Sequence, residues 1–192
     1  MLEFLDWPEF GKGTERTCYR NPETPDRCIK VSIKSQSKQS RREIKYYQFL
    51  AKRKVSYEHI PKFYREVDEG DYLGLEMEFV CNADGSGSPN LHQYLQQPLT
   101  PEQLSTFLQE LEKVKHYLID NNIVPCDLVA NNLLVTAQHD GIKIIMVDGL
   151  GGTELIPLSN YFSYFGRRKI ERKWDKFMRE RVMTAIEQFQ KK

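Results

Sequence analysis

The sequence of 192 residues has no apolar run that approaches the length needed to span a bilayer. Its first six residues, Met-Leu-Glu-Phe-Leu-Asp, contain no basic residue and interrupt a short apolar stretch with an acidic one, which argues against a signal peptide. The net charge of +1 gives no reason to expect nucleic-acid binding. We therefore expect a cytoplasmic protein with no membrane span and no nucleic-acid partner.

Cysteine is scarce, and its spacing does not favour a metal site. The four cysteines are Cys18, Cys28, Cys81 and Cys126, with no short-spaced pair and no histidine near them at ligand spacing. A zinc site is therefore not expected. In a reducing compartment we expect packed thiols rather than disulfides.

What is present divides by pattern into a strand-rich first part and a helix-rich second part. Predicted strands cover residues 2–10, 15–20, 28–34, 63–67 and 72–80. A charged amphipathic helix is predicted over residues 37–54, because Glu43, Tyr47 and Leu50 share one helical face. In the second part we predict a helix that opens at Thr100-Pro101, two short strands and a helical tail. The predicted organisation is an N-lobe over residues 1–81, a flexible linker over 82–90 and a reduced C-lobe over 91–192.

An ordered set of polar residues in the second part suggests a reaction. Asp127 is followed five residues later by Asn132, and a later apolar run ends in Asp148-Gly149. Kinase folds use that order: an Asp that orients or deprotonates the acceptor hydroxyl, then a metal-binding Asn and a metal-binding Asp. Asn132 and Asp148 offer the hard oxygen ligands that Mg²⁺ prefers.

The first part contains residues that suit the phosphates of ATP. Gly11 and Gly13 lie between the first two strands, where backbone N–H groups can approach phosphates. Lys30, in the third strand, is expected to pair with phosphates, and Glu43 on the next helix is expected to hold it.

The end of the fifth strand, with Met77, Glu78 and Val80, is expected to offer backbone hydrogen bonds to adenine.

The candidate residues also have ordinary alternative interpretations, such as a turn glycine, a solvent-facing lysine, a surface glutamate or a capping aspartate. Their order along the chain favours an α+β, protein-kinase-like two-lobed fold with a five-stranded N-lobe sheet and a mostly helical C-lobe.

The chain also resembles a particular family, the PhoP regulatory network protein YrbL family. The resemblance covers nearly the whole chain, and the segments that carry it are residues 11–22, 27–30, 41–47, 153–157 and 168–174. It implies a small bacterial, kinase-like cytosolic protein linked to a regulatory network, and it implies no particular substrate.

Several positions depart from ordinary protein kinases. Arg16 stands in place of the third loop glycine, Pro125-Cys126 precedes Asp127 in place of His-Arg, and Val129 stands in place of a lysine. Arg16, or a basic residue from 167–173, is a candidate to supply the missing positive charge.

Three hypotheses follow from the motifs and their departures. The first is an ATP- and Mg²⁺-dependent phosphotransferase with Asp127 as base and an unidentified acceptor, which can be a small molecule, a glycan or a protein. The second is a pseudokinase that binds a nucleotide or a partner without turnover. The third is an α+β interaction domain unrelated to kinases.

Overall fold

The computed structural model describes residues 3–150 and 162–189, so the motif at 153–157 lies outside the described residues. The fold is mixed α+β, which confirms the predicted class at that level. The chain forms two compact units, one of Met1–Tyr57 with Pro61–Phe79 and the other of Glu58–Ile60 with Val80–Lys192. No helix in the described ranges has the length and apolar character needed to cross a membrane.

The first unit is built on a five-stranded antiparallel sheet in the order β1-β2-β3-β5-β4. The strands are β1 (Glu9–Lys12), β2 (Thr17–Arg20), β3 (Arg27–Ile33), β4 (Phe63–Glu69) and β5 (Tyr72–Glu78). Successive side chains of β3 point to opposite faces of the sheet. Ile29 and Val31 pack with Phe4 in one apolar cluster, while Lys30 points to the helix on the other face.

The predicted strand over residues 2–10 is wrong in its first half. Glu3–Asp6 form a 3₁₀ helix, and the strand begins only at Glu9. Phe4 explains the difference, because it is buried against Ile29 and its ring meets that of Tyr72 edge-on at 5.8 Å. Burial of this one aromatic side chain against the sheet outweighs the local strand pattern.

Helix α1 (Lys38–Lys52) packs against the sheet and is anchored at its beginning. The carboxylate of Glu15 accepts hydrogen bonds from the backbone N–H groups of Gln39 (2.9 Å) and Ser40 (3.0 Å). A carboxylate at this end is favoured by unpaired N–H groups and the helix dipole. Ser40 also accepts a 2.8 Å hydrogen bond from Ser32 of β3, so α1 is tied both to the β1–β2 loop and to the sheet.

The second unit is mainly helical and contains a two-stranded antiparallel sheet. Its elements are α2 (Leu91–Gln96), α3 (Pro101–Asp120), β6 (Leu133–Gln138), β7 (Gly141–Met146), α4 (Ser163–Phe177), a π-helical segment (Met178–Met183) and α5 (Thr184–Phe189). Thr100 and Gln103 form a capping box at the start of α3. Helix α2 was not predicted, although Asn90 and Gln93 form the same kind of capping box in front of it.

Residues 82–90, predicted as a flexible linker, form a hydrogen-bonded turn within the second unit. The side chain of Asn82 accepts a 2.8 Å hydrogen bond from the backbone of Ala137, and Ala83 donates to the carbonyl of Ala137 at 2.8 Å. Ser86 Oγ donates to the carboxylate of Asp84 at 2.6 Å. These bonds attach the turn to the end of β6; its flexibility stays a prediction.

Candidate functional site

The polar residues singled out in the second part meet at one end of the β6–β7 hairpin. Asn132 ends a short 3₁₀ turn immediately before β6, and Asp148 follows β7. Leu133 and Met146 are paired across the two strands, so the residues before one and after the other lie at the same end. Val147 donates a backbone hydrogen bond of 2.8 Å to the carbonyl of Asn132, which extends the pairing to the site.

Hydrogen bonds then attach the loop that contains Asp127 to the same place. The side-chain amide of Asn132 donates to the backbone carbonyl of Asp127 at 3.0 Å. The backbone N–H groups of Cys126 and Asp127 donate to the carbonyl of Gly149 at 2.8 and 3.2 Å. The structure therefore gathers Asp127, Asn132 and the Asp148-Gly149 turn into one loop cluster, which we call the Asp–Asn–Asp cluster.

Gly149 is the residue that permits this close approach. Its φ of +80° lies in the left-handed region, which side chains rarely adopt. A Cβ built on Gly149 would lie 2.2 Å from the carbonyl oxygen of Asp127 and 2.9 Å from the side-chain nitrogen of Asn132. Only a residue without a side chain fits between these two groups.

The donor chemistry of the cluster suits Mg²⁺. Asn132 directs its amide nitrogen toward Asp127, so its side-chain oxygen is the atom available to a cation. The carboxylate of Asp148 is oriented by a 2.7 Å hydrogen bond from the N–H of Gly149. Mg²⁺ takes one or two such oxygen ligands together with phosphates and water. Across residues 3–150 and 162–189 no group of three or more His, Cys, Asp or Glu residues is placed to hold a metal.

In the first unit, Lys30 and Glu43 form an ion pair. Lys30 Nζ lies 3.3 Å from a carboxylate oxygen of Glu43, and the side chains are 12% and 2% exposed. Glu43 is therefore a buried residue and not a member of the solvated helix face. The guanidinium of Arg16, itself buried, donates to the other carboxylate oxygen of Glu43. Two cations thus share one buried carboxylate.

Gly13 lies in the turn between β1 and β2, whereas Gly11, which was predicted between the two strands, belongs to β1. Gly13 donates a 2.8 Å hydrogen bond to the carbonyl of Arg16, and Gly11 is paired with Cys18 of β2. A Cβ at Gly11 or Gly13 would meet no atom nearer than 3.7 Å. Packing within the protein therefore does not require glycine at either position.

The residues predicted to contact adenine are divided between the two units. Met77 is buried and is paired with Cys28 across β3 and β5. The carboxylate of Glu78 accepts a 3.0 Å hydrogen bond from the backbone of Lys62, and its carbonyl accepts the thiol of Cys28 at 3.6 Å. Val80 belongs to the second unit and is half-buried.

Cys28 is expected to resist alkylation in the folded protein. Burial raises the pKa of its thiol from 9.0 to about 12, so little thiolate forms at pH 8. A variant that retains only Cys28 should react with iodoacetamide at pH 8 only after urea unfolding. Because the folded pKa is raised, this thiol's contribution to stability is complete below pH 9 and is lost as the pH rises toward 12.

The control is a variant that retains only Cys81, which is partly exposed and should be alkylated without urea. Mass spectrometry of timed samples gives both rates. Equal native rates for the two variants would show that Cys28 is not shielded.

Lys173 is a site residue that the sequence indicated only as one member of a basic run. Its ammonium donates a 2.7 Å hydrogen bond to the carbonyl of Cys126, directly before Asp127. Burial, and after it the charge of Lys169, lower the pKa of Lys173, while Cys126 and Asp127 act in the opposite direction. The sequence could have identified Lys173 by its position beside Trp174, because a residue next to a buried helix position lies at the edge of the packed face.

The fold and the site define a mixed α+β protein that holds an Asp–Asn–Asp cluster in one unit and a buried Lys–Glu–Arg group in the other. The chain belongs to the PhoP regulatory network protein YrbL family, whose model matches residues 3–182. It is similar to the uncharacterized protein YrbL of Escherichia coli K12, with 30% identity over 188 residues, covering 96% of this chain and 90% of that protein. YrbL of Shigella flexneri shows the same identity and coverage. The family predicted from the motifs is confirmed, and its name links it to the PhoP regulatory network.

Proposed function

We propose that this chain is an ATP- and Mg²⁺-dependent phosphotransferase with a kinase-like arrangement of groups. The observation that carries the proposal is the hydrogen bond from the side chain of Asn132 to the carbonyl of Asp127, with Gly149 packed closely against both groups. This contact supports the proposal, because phosphoryl transfer requires an acceptor-activating carboxylate close to metal-binding side chains.

In this proposal the second unit holds the metal and activates the acceptor. Asn132 and Asp148 bind Mg²⁺, with the Asp148 carboxylate held in orientation by Gly149. Bound Mg²⁺ would supply charge neutralisation on the phosphates. The carboxylate of Asp127 takes the proton from an acceptor hydroxyl, whose oxygen bonds to the γ-phosphorus while the bond to the β–γ bridging oxygen breaks and ADP leaves with that electron pair.

The first unit binds the phosphates of the nucleotide. Lys30 is held by Glu43, and the second cation, Arg16, leaves this buried group with a net positive charge. The backbone carbonyl of Arg16 also accepts a hydrogen bond from the N–H of Gly13. The ion pair between Arg16 and Glu43 therefore holds the end of the turn that contains Gly13. Uncrowded glycine backbone beside a net positive group is the kind of surface that receives phosphate oxygens.

A second candidate is a regulatory protein that binds nucleotide without turnover. The observation in its favour is that Val129 supplies no charge to the cavity beside Asp127. A cation positioned on the transferring phosphoryl group is worth roughly 10³–10⁵ in rate, so its loss can leave binding without chemistry. The family's link to the PhoP regulatory network suits either candidate.

Thermal unfolding with Mg-ATP, followed by a turnover assay, separates these candidates. We expect Mg-ATP at 100 times its Kd to add about 2.7 kcal/mol to the free energy of unfolding. Asp148→Asn should abolish that gain, and Asp127→Asn should keep it while losing phosphate transfer. Asp140→Asn, at an exposed turn of the same hairpin, is the control and should change neither.

The outcomes are distinct. Nucleotide binding with turnover that depends on Asp127 supports the phosphotransferase. Binding with no turnover, or with turnover that Asp127→Asn leaves intact, contradicts it and favours the regulatory candidate. No stabilisation by any nucleotide would contradict both.

A further inference from the structure

The second unit contains a cavity of about 360 Å³ beside Asp127. One wall is the loop Cys126–Val129, and the other is the end of α4 with the start of the π-helical segment, from Lys173 to Arg181. The volume lies within the range of small-molecule pockets. Because Asp127 belongs to the wall, a molecule in this cavity can present a group to its carboxylate.

The helical wall is basic. Lys173, Lys176 and Arg181 line it, and Glu180 is the one acidic residue that the helical wall contributes. Glu180 already faces two cations, Lys176 at 3.9 Å and Arg179 at 3.2 Å. Within the described residues no carboxylate lies within ion-pair distance of Arg181. The helical wall therefore keeps an excess of positive charge.

Apolar side chains also line the cavity. Phe177 is 2% exposed, and Leu128 and Val129 lie on the loop side of the same cavity. A ligand here meets the carboxylate of Asp127, apolar side chains and the cations of the helical wall. That distribution matches a molecule with a hydroxyl and a separate anionic group, and it does not match a neutral one.

Two observations indicate that the basic wall is held in place. Lys173 is fixed to the loop by its 2.7 Å hydrogen bond to the carbonyl of Cys126. The six residues Met178–Met183 form a π helix, a rare widened turn that occurs frequently at functional sites. Thr184 donates to the carbonyl of Arg179 at 3.3 Å, which stabilises the widened turn beside Arg181.

We propose that this cavity binds the phosphate acceptor, and that the acceptor is a small molecule that carries an anionic group as well as a hydroxyl. The acceptor role rests on the proposed function, whereas anion binding by the basic wall does not. The hydroxyl lies at Asp127 and loses its proton to that carboxylate as its oxygen bonds to the γ-phosphorus and ADP leaves. The anionic group stays against Lys176 and Arg181 and determines which hydroxyl compounds are accepted.

Binding can be tested without nucleotide by titrating ¹⁵N-labelled protein with glycerol 3-phosphate and, as the neutral match, glycerol. We expect saturable shifts in the amides of 126–129 and 173–181 with glycerol 3-phosphate alone. The variant K176Q/R181Q should weaken binding at least about tenfold, the effect of losing one charge-assisted hydrogen bond. R172Q, an exposed cation of the same helix that does not line the cavity, is the control and should leave the affinity unchanged. Added salt should weaken wild-type binding.

Failure of this inference is distinguishable from failure of the proposed function. If glycerol 3-phosphate, glucose 6-phosphate and phosphoserine all give no saturable shift, the inference is overturned, whatever Mg-ATP does in thermal unfolding of the wild-type protein. Binding that survives K176Q/R181Q would overturn it as well. If Mg-ATP alone saturates the same amides and displaces glycerol 3-phosphate, the cavity is a nucleotide site and the acceptor role is excluded.

Discussion

Replacing Gly149 with alanine is expected to break the Asp–Asn–Asp cluster. The new Cβ would lie 2.2 Å from the carbonyl oxygen of Asp127 and would require a left-handed backbone at φ +80°. The backbone conformation costs about 1–2 kcal/mol, and the overlap with fixed backbone adds about 1–3 kcal/mol. We therefore expect a loss of roughly 2–5 kcal/mol in urea unfolding, together with loss of Mg-ATP stabilisation.

Gly85 offers a matched control for this substitution. It has the same φ of +80°, and a Cβ there would meet no atom within 4 Å. Gly85→Ala should therefore show only the cost of the left-handed backbone, about 1–2 kcal/mol, and should leave nucleotide stabilisation intact. If the two substitutions cost the same, the close contact between Gly149 and Asp127 is not a constraint on the site.

Replacing Glu43 with glutamine is expected to destabilise the first unit by about 3–5 kcal/mol, because the buried Arg16 and the partly buried Lys30 both lose the carboxylate that they share. Glu43 is 2% exposed and contacts both Arg16 and Lys30. The side chain keeps its size, so the effect reports charge and not packing. Urea unfolding followed by fluorescence and circular dichroism measures it, and the same samples should show weakened Mg-ATP stabilisation because Lys30 is no longer held.

Asp68→Asn is the matched control, because Asp68 pairs with Lys34 in the same unit but is 56% exposed. Surface pairs contribute little, so a change within about 1 kcal/mol is expected. Arg16→Met combined with Glu43→Gln should recover part of the loss, since it removes one of the two cations that lose the Glu43 carboxylate. A Glu43→Gln protein as stable as Asp68→Asn would show that the buried group does not depend on this carboxylate.

Local patterns were enough to predict much of the framework. The alternation in β3, the shared face of α1 and the capping box before α3 each depend on residues close in sequence, and each element forms near its predicted position. The sequence assigned Asp127 and Asn132 to one site from their order along the chain, and in the structure the side chain of Asn132 contacts the carbonyl of Asp127.

Local patterns did not predict the contacts between residues that lie far apart in the sequence. Arg16 was considered for a phosphate-binding role, yet its guanidinium contacts Glu43, which is 27 residues away. Phe4 converts a predicted strand into a 3₁₀ helix by burial against the sheet. Lys173 lies 47 residues from the carbonyl that fixes it. A long side chain such as that of Arg16 or Lys173 contacts the groups that the folded chain brings close to it. The spacing of residues in the sequence does not predict which groups these are.

The sequence by itself therefore determined the family, the order of the seven strands with helices α1 and α3, and the chemical type of the residues at the Asp–Asn–Asp cluster. Only the tertiary structure decided that Gly149 closes the cluster against Asp127, that Glu43 is shared by two cations and that a basic cavity lies beside Asp127. The physical reason is the range of the interactions. Periodicity and capping act within a few residues, whereas burial, ion pairing and cavity shape depend on which distant segments pack together.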